Sequence, residues 1–156
     1  MKGIEYNAYD LPVEVDWIGY DEYGCWAEAE CKDFGECCWE NRTIPHNLGV
    51  LSNYITKRGG KMVVVADGVA IFHPTTPPSN TTPTAADQQR RAARDMLFYQ
   101  YCRNTSICVA YWPFLWQTIR SPSTVLVGAG DQPLLLDTLR QIGTEIKQQQ
   151  QDGGGG

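Results

Sequence analysis

The chain has 156 residues and a mass of 17.5 kDa, a length typical of one domain with its own core. Apolar residues make up 42% of it and charged residues 20%, which excludes an intrinsically disordered protein. The formal net charge of -5 and the pI near 4.9 argue against nucleic acid as a partner, because binding a polyanion requires a basic surface.

Two features indicate a cytoplasmic protein. No stretch approaches the roughly 18 apolar residues of a membrane span, and the first residues, Met-Lys-Gly-Ile-Glu-Tyr, lack the apolar core of a secretory signal. We expect the protein to stay in the cytoplasm or to enter a virion or another particle after cytoplasmic synthesis. The N-x-[ST] sequons at Asn41, Asn80 and Asn104 are then expected to stay unused.

The first third of the chain predicts a β start followed by a helix. Residues 13–17 alternate apolar and acidic side chains, as in a half-buried strand. Residues 25–40 fit either a strand or a helix, and both interpretations stay open. Residues 48–58 are predicted to form a short amphipathic helix. Asn47 can cap its start, its apolar residues share one face, and Gly59-Gly60 closes its end.

The middle of the chain predicts a hairpin and a long helix. Residues 61–73 are two apolar runs around Asp67-Gly68, a dipeptide typical of a type I′ hairpin turn. The Pro/Thr-rich residues 74–83 predict an exposed loop. A capping box of Thr84 and Asp87 then opens a helix over residues 85–103. We expect three of its side chains to face inward: Ala93, Leu97 and Tyr101.

The last third predicts two strands and a helix. Residues 107–112 and 124–127 are short, β-branched and apolar on both faces, as strands in the middle of a sheet are. The helix is predicted for residues 132–147, and residues 148–156 form a low-complexity Gln/Gly tail. Together the elements predict one α+β domain over residues 1–147, with a mainly antiparallel sheet that includes the 61–73 hairpin.

The six cysteines do not have the spacing of a zinc site. They lie at positions 25, 31, 37, 38, 102 and 108. Structural zinc sites usually have two to four intervening residues between paired ligands, whereas five residues separate each of the first three cysteines from the next. We therefore expect no metal ligands, and reduced, buried thiols. A cysteine nucleophile is not expected either, because His46 and His73 do not match the partner position of the papain pattern.

The Gly128-Ala-Gly130 segment does not predict a cofactor site. It lies between a strand and a helix, as a dinucleotide-binding loop does, but Pro133 replaces the third glycine of that motif and no strand follows to bind a ribose. A plain strand-to-helix turn explains it. We expect neither a catalytic residue nor a cofactor.

Partner binding is the function that the residues favour. The helix at 132–147 carries an apolar seam of two heptads, and the chain has more tryptophan and tyrosine than a small core needs. The predicted partner-binding residues are Leu135, Leu139, Ile142, Ile146, Trp112 and Trp116. The leading hypothesis is a non-enzymatic structural or adaptor subunit of a larger homo- or hetero-oligomer, such as a virion or injection-machine component. The alternatives are a small enzyme or ligand-binding domain with an aromatic pocket, and an acidic immunity-type inhibitor.

Overall fold

The structure is a computed structural model that describes residues 15–22, 43–66, 70–72, 83–113, 116–121 and 125–153. The chain divides into two compact units. Unit 1 comprises residues 1–65 and 102–112, and unit 2 comprises residues 66–101 and 113–156. The expected segments at 25–40 and 74–82 lie outside the described residues. No helix among the described residues is long and apolar enough to cross a membrane.

Helices and strands are mixed along the chain, as predicted. The described residues contain the helices α1 (Ile44–Lys57), α2 (Ala85–Arg103) and α3 (Pro133–Gly153). The strands are β1 (Trp17–Glu22), β2 (Lys61–Ala66), β3 (Ala70–Phe72), β4 (Cys108–Pro113), β5 (Ile119–Arg120) and β6 (Val125–Val127). The α+β class is therefore confirmed.

The sheet of unit 1 is parallel, so the prediction of a mainly antiparallel sheet is wrong. Its strand order is β1-β2-β4. The Lys61 amide donates to the Asp16 carbonyl (2.6 Å), and the Met62 amide donates to the Ile107 carbonyl (2.8 Å). These bonds place the starts of the three strands level with one another, as parallel pairing requires. The central strand, β2, buries both Met62 and Val63.

The predicted 61–73 hairpin is also wrong, although both of its strands exist. β2 pairs with β1 and β4, whereas β3 pairs with β6 in a second, antiparallel sheet of order β3-β6-β5. The parallel neighbours occupy both edges of β2, so no edge is left for β3. The strands expected in the middle of one sheet are likewise divided: β6 is central in the second sheet, but β4 ends the described order of the first.

Helix α1 begins four residues earlier than predicted. Its cap is Thr43 and not Asn47, and Pro45 lies within the first turn, where a missing amide proton costs nothing. The earlier start extends the buried apolar face to Ile44. At the other end, Gly59 has a φ of 70° and the Gly60 amide donates to the Ile55 carbonyl (3.1 Å), which is the glycine-closed end that the sequence predicts.

Helix α2 has the predicted bounds but a different buried face. Thr84 and Asp87 form the predicted capping box: the Thr84 hydroxyl donates to Asp87 Oδ2 (2.6 Å), and the Asp87 amide donates to Thr84 Oγ1 (3.1 Å). Ala93 and Leu97 are exposed and Tyr101 is half-buried. The buried side chains of α2 are instead Gln88, Asp95, Phe98, Tyr99 and Cys102.

Cys102 and Cys108 are joined by a disulfide, which contradicts the prediction of reduced thiols. The bond links the end of α2 to the start of β4, with a Cα–Cα distance of 5.1 Å and a sequence separation of 6. The expectation rested on a cytoplasmic location, where disulfides are rare. Among the cysteines, only these two lie within the described residues.

Candidate interaction surface

Two buried glutamine side chains fix the start of α3. Gln132 donates from Nε2 to the Val127 carbonyl (3.0 Å). Gln88, on α2, accepts the Leu134 amide at Oε1 (3.2 Å) and donates from Nε2 to the Pro83 carbonyl (3.0 Å). Because the first four amides of a helix have no partner within it, Gln88 caps α3 from a neighbouring helix. The start of α3 is therefore fixed within unit 2.

The structure divides the predicted apolar seam of α3 into a buried part and an exposed end. Leu135 and Ile142 are buried and Leu139 is half-buried. Ile146, one turn further, is 38% exposed. The seam thus anchors the first half of α3, and only its last residue is available to a partner.

Helix α3 continues to Gly153, so the predicted boundary at residue 147 is wrong. Residues 144–153 are named here the C-terminal arm. At a rise of about 1.5 Å per residue they span about 15 Å. Every residue from Ile146 to Asp152 is exposed, although seven residues cover all faces of a helix. Thr144 connects the arm to the anchored part by donating from its hydroxyl to the Arg140 carbonyl (2.9 Å).

The turn that precedes α3 carries an exposed tryptophan. The Gly130 amide donates to the Trp116 carbonyl (3.0 Å), and a Cβ atom at Gly130 would lie 3.2 Å from the indole nitrogen of Trp116. The side chain therefore lies against the glycine, yet it is 56% exposed. On the same segment, the Thr118 hydroxyl donates to Asp131 and accepts the Gly128 amide (3.1 Å).

Close backbone approach explains the glycine at position 128. A Cβ atom there would lie 2.4 Å from the Trp116 carbonyl oxygen. The segment between β6 and α3 is a short 3-10 turn, Ala129–Asp131. These packing contacts agree with the interpretation as a strand-to-helix turn.

The predicted partner-binding residues fall in different units. Trp112, 51% exposed, is on β4 of unit 1. Trp116 and the four seam residues belong to unit 2. Each unit therefore has an exposed tryptophan among these residues. Of the five predicted residues in unit 2, only Ile146 and Trp116 are exposed.

Sequence reasoning missed several exposed apolar residues. In unit 1, Trp17 and Val109 are exposed, and the hydrogen bonds at the strand starts place them on the same face of the sheet, away from the face with Met62. In unit 2, Ile119 and Leu134 are exposed. No pattern in the sequence distinguished Trp17 from a core tryptophan.

Comparisons with protein-family models, curated proteins and solved structures gave no match. The arrangement of the described residues is thus the whole basis for the function proposed below. Within these residues, no group of three or more His, Cys, Asp or Glu side chains is placed to hold a metal ion. His46 is exposed on α1, and His73 lies outside the described residues. The expected lack of a catalytic, cofactor or metal site stays a prediction.

Proposed function

We propose that the protein is a non-enzymatic subunit of a larger protein assembly and that its C-terminal arm contacts a neighbouring subunit. The observation that carries the proposal is the exposure of every residue from Ile146 to Asp152 within a continuous helix. Apart from Ile146 these exposed side chains are polar, and bridging between packed bodies is one role of a helix that is polar around its circumference. The partner is a second copy of the chain or another subunit.

The arm has little stabilisation of its own. An isolated helix of ten residues is marginal in water, so the arm depends on propagation from the part anchored by Leu135 and Ile142. Its last turn has no basic residue, and Asp152 lies near the negative end of the helix dipole. A neighbour that covers Ile146 and accepts hydrogen bonds from the glutamine side chains would stabilise this segment.

Trp116 supplies a second contact in the same unit. Tryptophan is enriched among residues that dominate binding energy, because it buries a large area with few rotatable bonds. The contact with Gly130 restricts the indole before a partner binds. A smaller ordering cost on binding follows, which favours recognition of a protein surface.

The assembly proposal and its alternatives predict different masses in solution. A ligand-binding domain or an inhibitor without its partner is expected to be a monomer of 17.5 kDa. An assembly subunit that binds copies of itself is expected to show a larger, concentration-dependent mass. An assembly subunit that binds a different protein is expected to be a monomer alone and to show a larger mass when that protein is added. Sedimentation velocity over a range of concentrations distinguishes a self-associating subunit from the monomeric cases.

A pair of matched variants tests the role of the arm. Ile146→Glu places a charge in the arm, and Val50→Glu makes the same change at an equally exposed residue, 40% against 38%, on α1 of unit 1. We expect Ile146→Glu to weaken association at least tenfold and Val50→Glu to leave it unchanged, with equal thermal melting of the two variants. If both variants associate as strongly as the wild type does, the proposal is contradicted.

A further inference from the structure

The loop that joins α2 to β4 combines a disulfide with a glycosylation sequon. Cys102 and Cys108 close the loop, and the sequon Asn104-Thr105-Ser106 lies between them. The Thr105 amide donates to the Cys102 carbonyl (3.1 Å), and the Cys108 amide donates to the Thr105 carbonyl (2.8 Å). The loop is thus two successive turns held at both ends.

We propose that Asn104 is an acceptor for N-linked glycosylation. Both side chains that the reaction requires, the Asn104 amide and the Ser106 hydroxyl, are exposed. In the transfer, the Asn104 side-chain nitrogen forms a bond to the anomeric carbon of an oligosaccharide. The bond from that carbon to a lipid-linked pyrophosphate breaks, and the amide loses one proton. The lipid-pyrophosphate oligosaccharide is the co-reactant.

The disulfide is an independent observation that supports this assignment. Disulfides form and persist in oxidising compartments, which include the lumen of the endoplasmic reticulum, where N-glycans are attached. The expectation that the sequons stay unused rested on a cytoplasmic location with reduced thiols. Because Cys102 and Cys108 are oxidised, that reason no longer applies to the Asn104 sequon.

The surroundings of Asn104 accommodate a bulky group. Its neighbour Arg103, the last residue of α2, is exposed as well. The backbone of the half-buried Thr105 is bonded to Cys102 and Cys108 at the two ends of the loop, and the side chains on either side of Thr105 are exposed. A glycan at Asn104 therefore displaces no core residue.

A peptide map of secreted protein tests the assignment. The full chain is expressed behind a cleavable secretion leader in yeast or animal cells, and its glycans are removed by an amidase in heavy-oxygen water, which converts occupied asparagine to labelled aspartate. Trypsin without reductant then cuts after Arg94, Arg103 and Arg120. It yields peptides 95–103 and 104–120 joined by the disulfide. That single ion reports both the cross-link and the occupancy of Asn104.

We expect most of the linked peptide to carry the label. Ser106→Ala is expected to abolish the label and keep the disulfide, whereas Ser106→Thr is expected to keep both. Thermal melting of the two variants checks that they are folded. Unlabelled Asn104 in secreted wild-type protein, or equal labelling in Ser106→Ala, would overturn the proposal.

Discussion

The side chain of Gln88 accepts a hydrogen bond from the backbone amide of Leu134, 46 positions away in the sequence, and so joins α2 to α3. Its own amide nitrogen donates to the Pro83 carbonyl, and the residue is buried. One side chain thus bonds to a backbone donor in the first turn of α3 and to a backbone acceptor just before α2. The position of α3, and with it the position of the arm, depends on this residue.

Replacing Gln88 is therefore expected to destabilise the protein. Gln88→Ala removes the partners of the part-buried Leu134 amide and of the buried Pro83 carbonyl, and a buried group left unsatisfied costs about 1 to 3 kcal/mol. The matched control is Gln89→Ala, because Gln89 is exposed on the same helix. Urea unfolding should show a lower midpoint for Gln88→Ala and a change within about 0.5 kcal/mol for the control. Equal midpoints would mean that the capping bonds do not contribute to stability.

The capping box at the start of α2 predicts a defined dependence on pH. The hydrogen bond from the Thr84 hydroxyl lowers the pKa of Asp87 below its ordinary value of 3.8. A lowered pKa means that the folded state favours the carboxylate, so this stabilisation is complete above pH 3.8 and is lost as the pH falls through the folded-state pKa.

Asp87→Asn tests that dependence. We expect it to lower the free energy of unfolding at neutral pH by about 0.3 to 1 kcal/mol, the usual contribution of a negative charge in the first turn of a helix. Below the folded-state pKa of Asp87 the two proteins should converge. Urea midpoints measured from neutral to strongly acidic pH provide the comparison, and a constant difference at every pH would be inconsistent with the carboxylate as the cause.

The sequence predicted local structure better than pairing. The capping box and the Gly59 helix end follow from residues within one turn of each other, and both are present. The pairing of β2 was mispredicted because Asp67-Gly68 favours a local hairpin, whereas β1 and β4, far away in the chain, supply the partners. In α2, the four successive apolar residues at 96–99 point to all sides of the helix, so their periodicity did not define the buried face.

Only part of the candidate site was predicted, because sequence spacing reports on local structure and not on long-range contacts. Heptad spacing identified Leu135 and Ile142 as members of one seam, but spacing does not tell whether a partner covers them or the chain itself does. The boundary at residue 147 failed because glutamine is a good helix former, and an anchored helix extends through such residues at almost no cost. Low complexity was an unreliable sign of a helix end.

The glycine at position 128 is required by packing. Because its Cβ position lies 2.4 Å from the Trp116 carbonyl oxygen, Gly128→Ala must move the backbone. We expect a loss of about 1 to 3 kcal/mol or more, as for other overpacked sites. Gly143→Ala is the control, since its Cβ position on α3 has no atom within 4 Å, and it should stabilise the helix by up to about 1 kcal/mol. A lower melting temperature for Gly128→Ala and a higher one for Gly143→Ala, each relative to the wild type, would confirm the two predictions.

The Cys102–Cys108 disulfide is expected to contribute to stability. Closing a loop this short lowers the conformational entropy of the unfolded chain, which stabilises the folded state by about 2 kcal/mol. The free energy of unfolding of a double serine variant, measured in urea, should therefore be lower by about 2 kcal/mol. Thiol titration of denatured, unreduced protein should find at most four of the six cysteines free, because two are in this bond. Six free thiols would show that the disulfide does not form in the purified protein.

The last prediction separates the arm from the fold. Deleting residues 148–156 removes the second half of the arm and the residues beyond it, but leaves Leu135, Ile142 and Ile146 in place. The deleted side chains from residue 148 to residue 152 are all exposed, so the free energy of unfolding of the monomer should change by no more than about 0.5 kcal/mol. Association should weaken, because the deletion removes the polar surface that the arm presents to a neighbour. Sedimentation and thermal melting of the two forms, at matched concentrations, measure the two effects separately. Unchanged sedimentation, or a melting temperature lower by several degrees, would show that these residues serve the fold and not a partner.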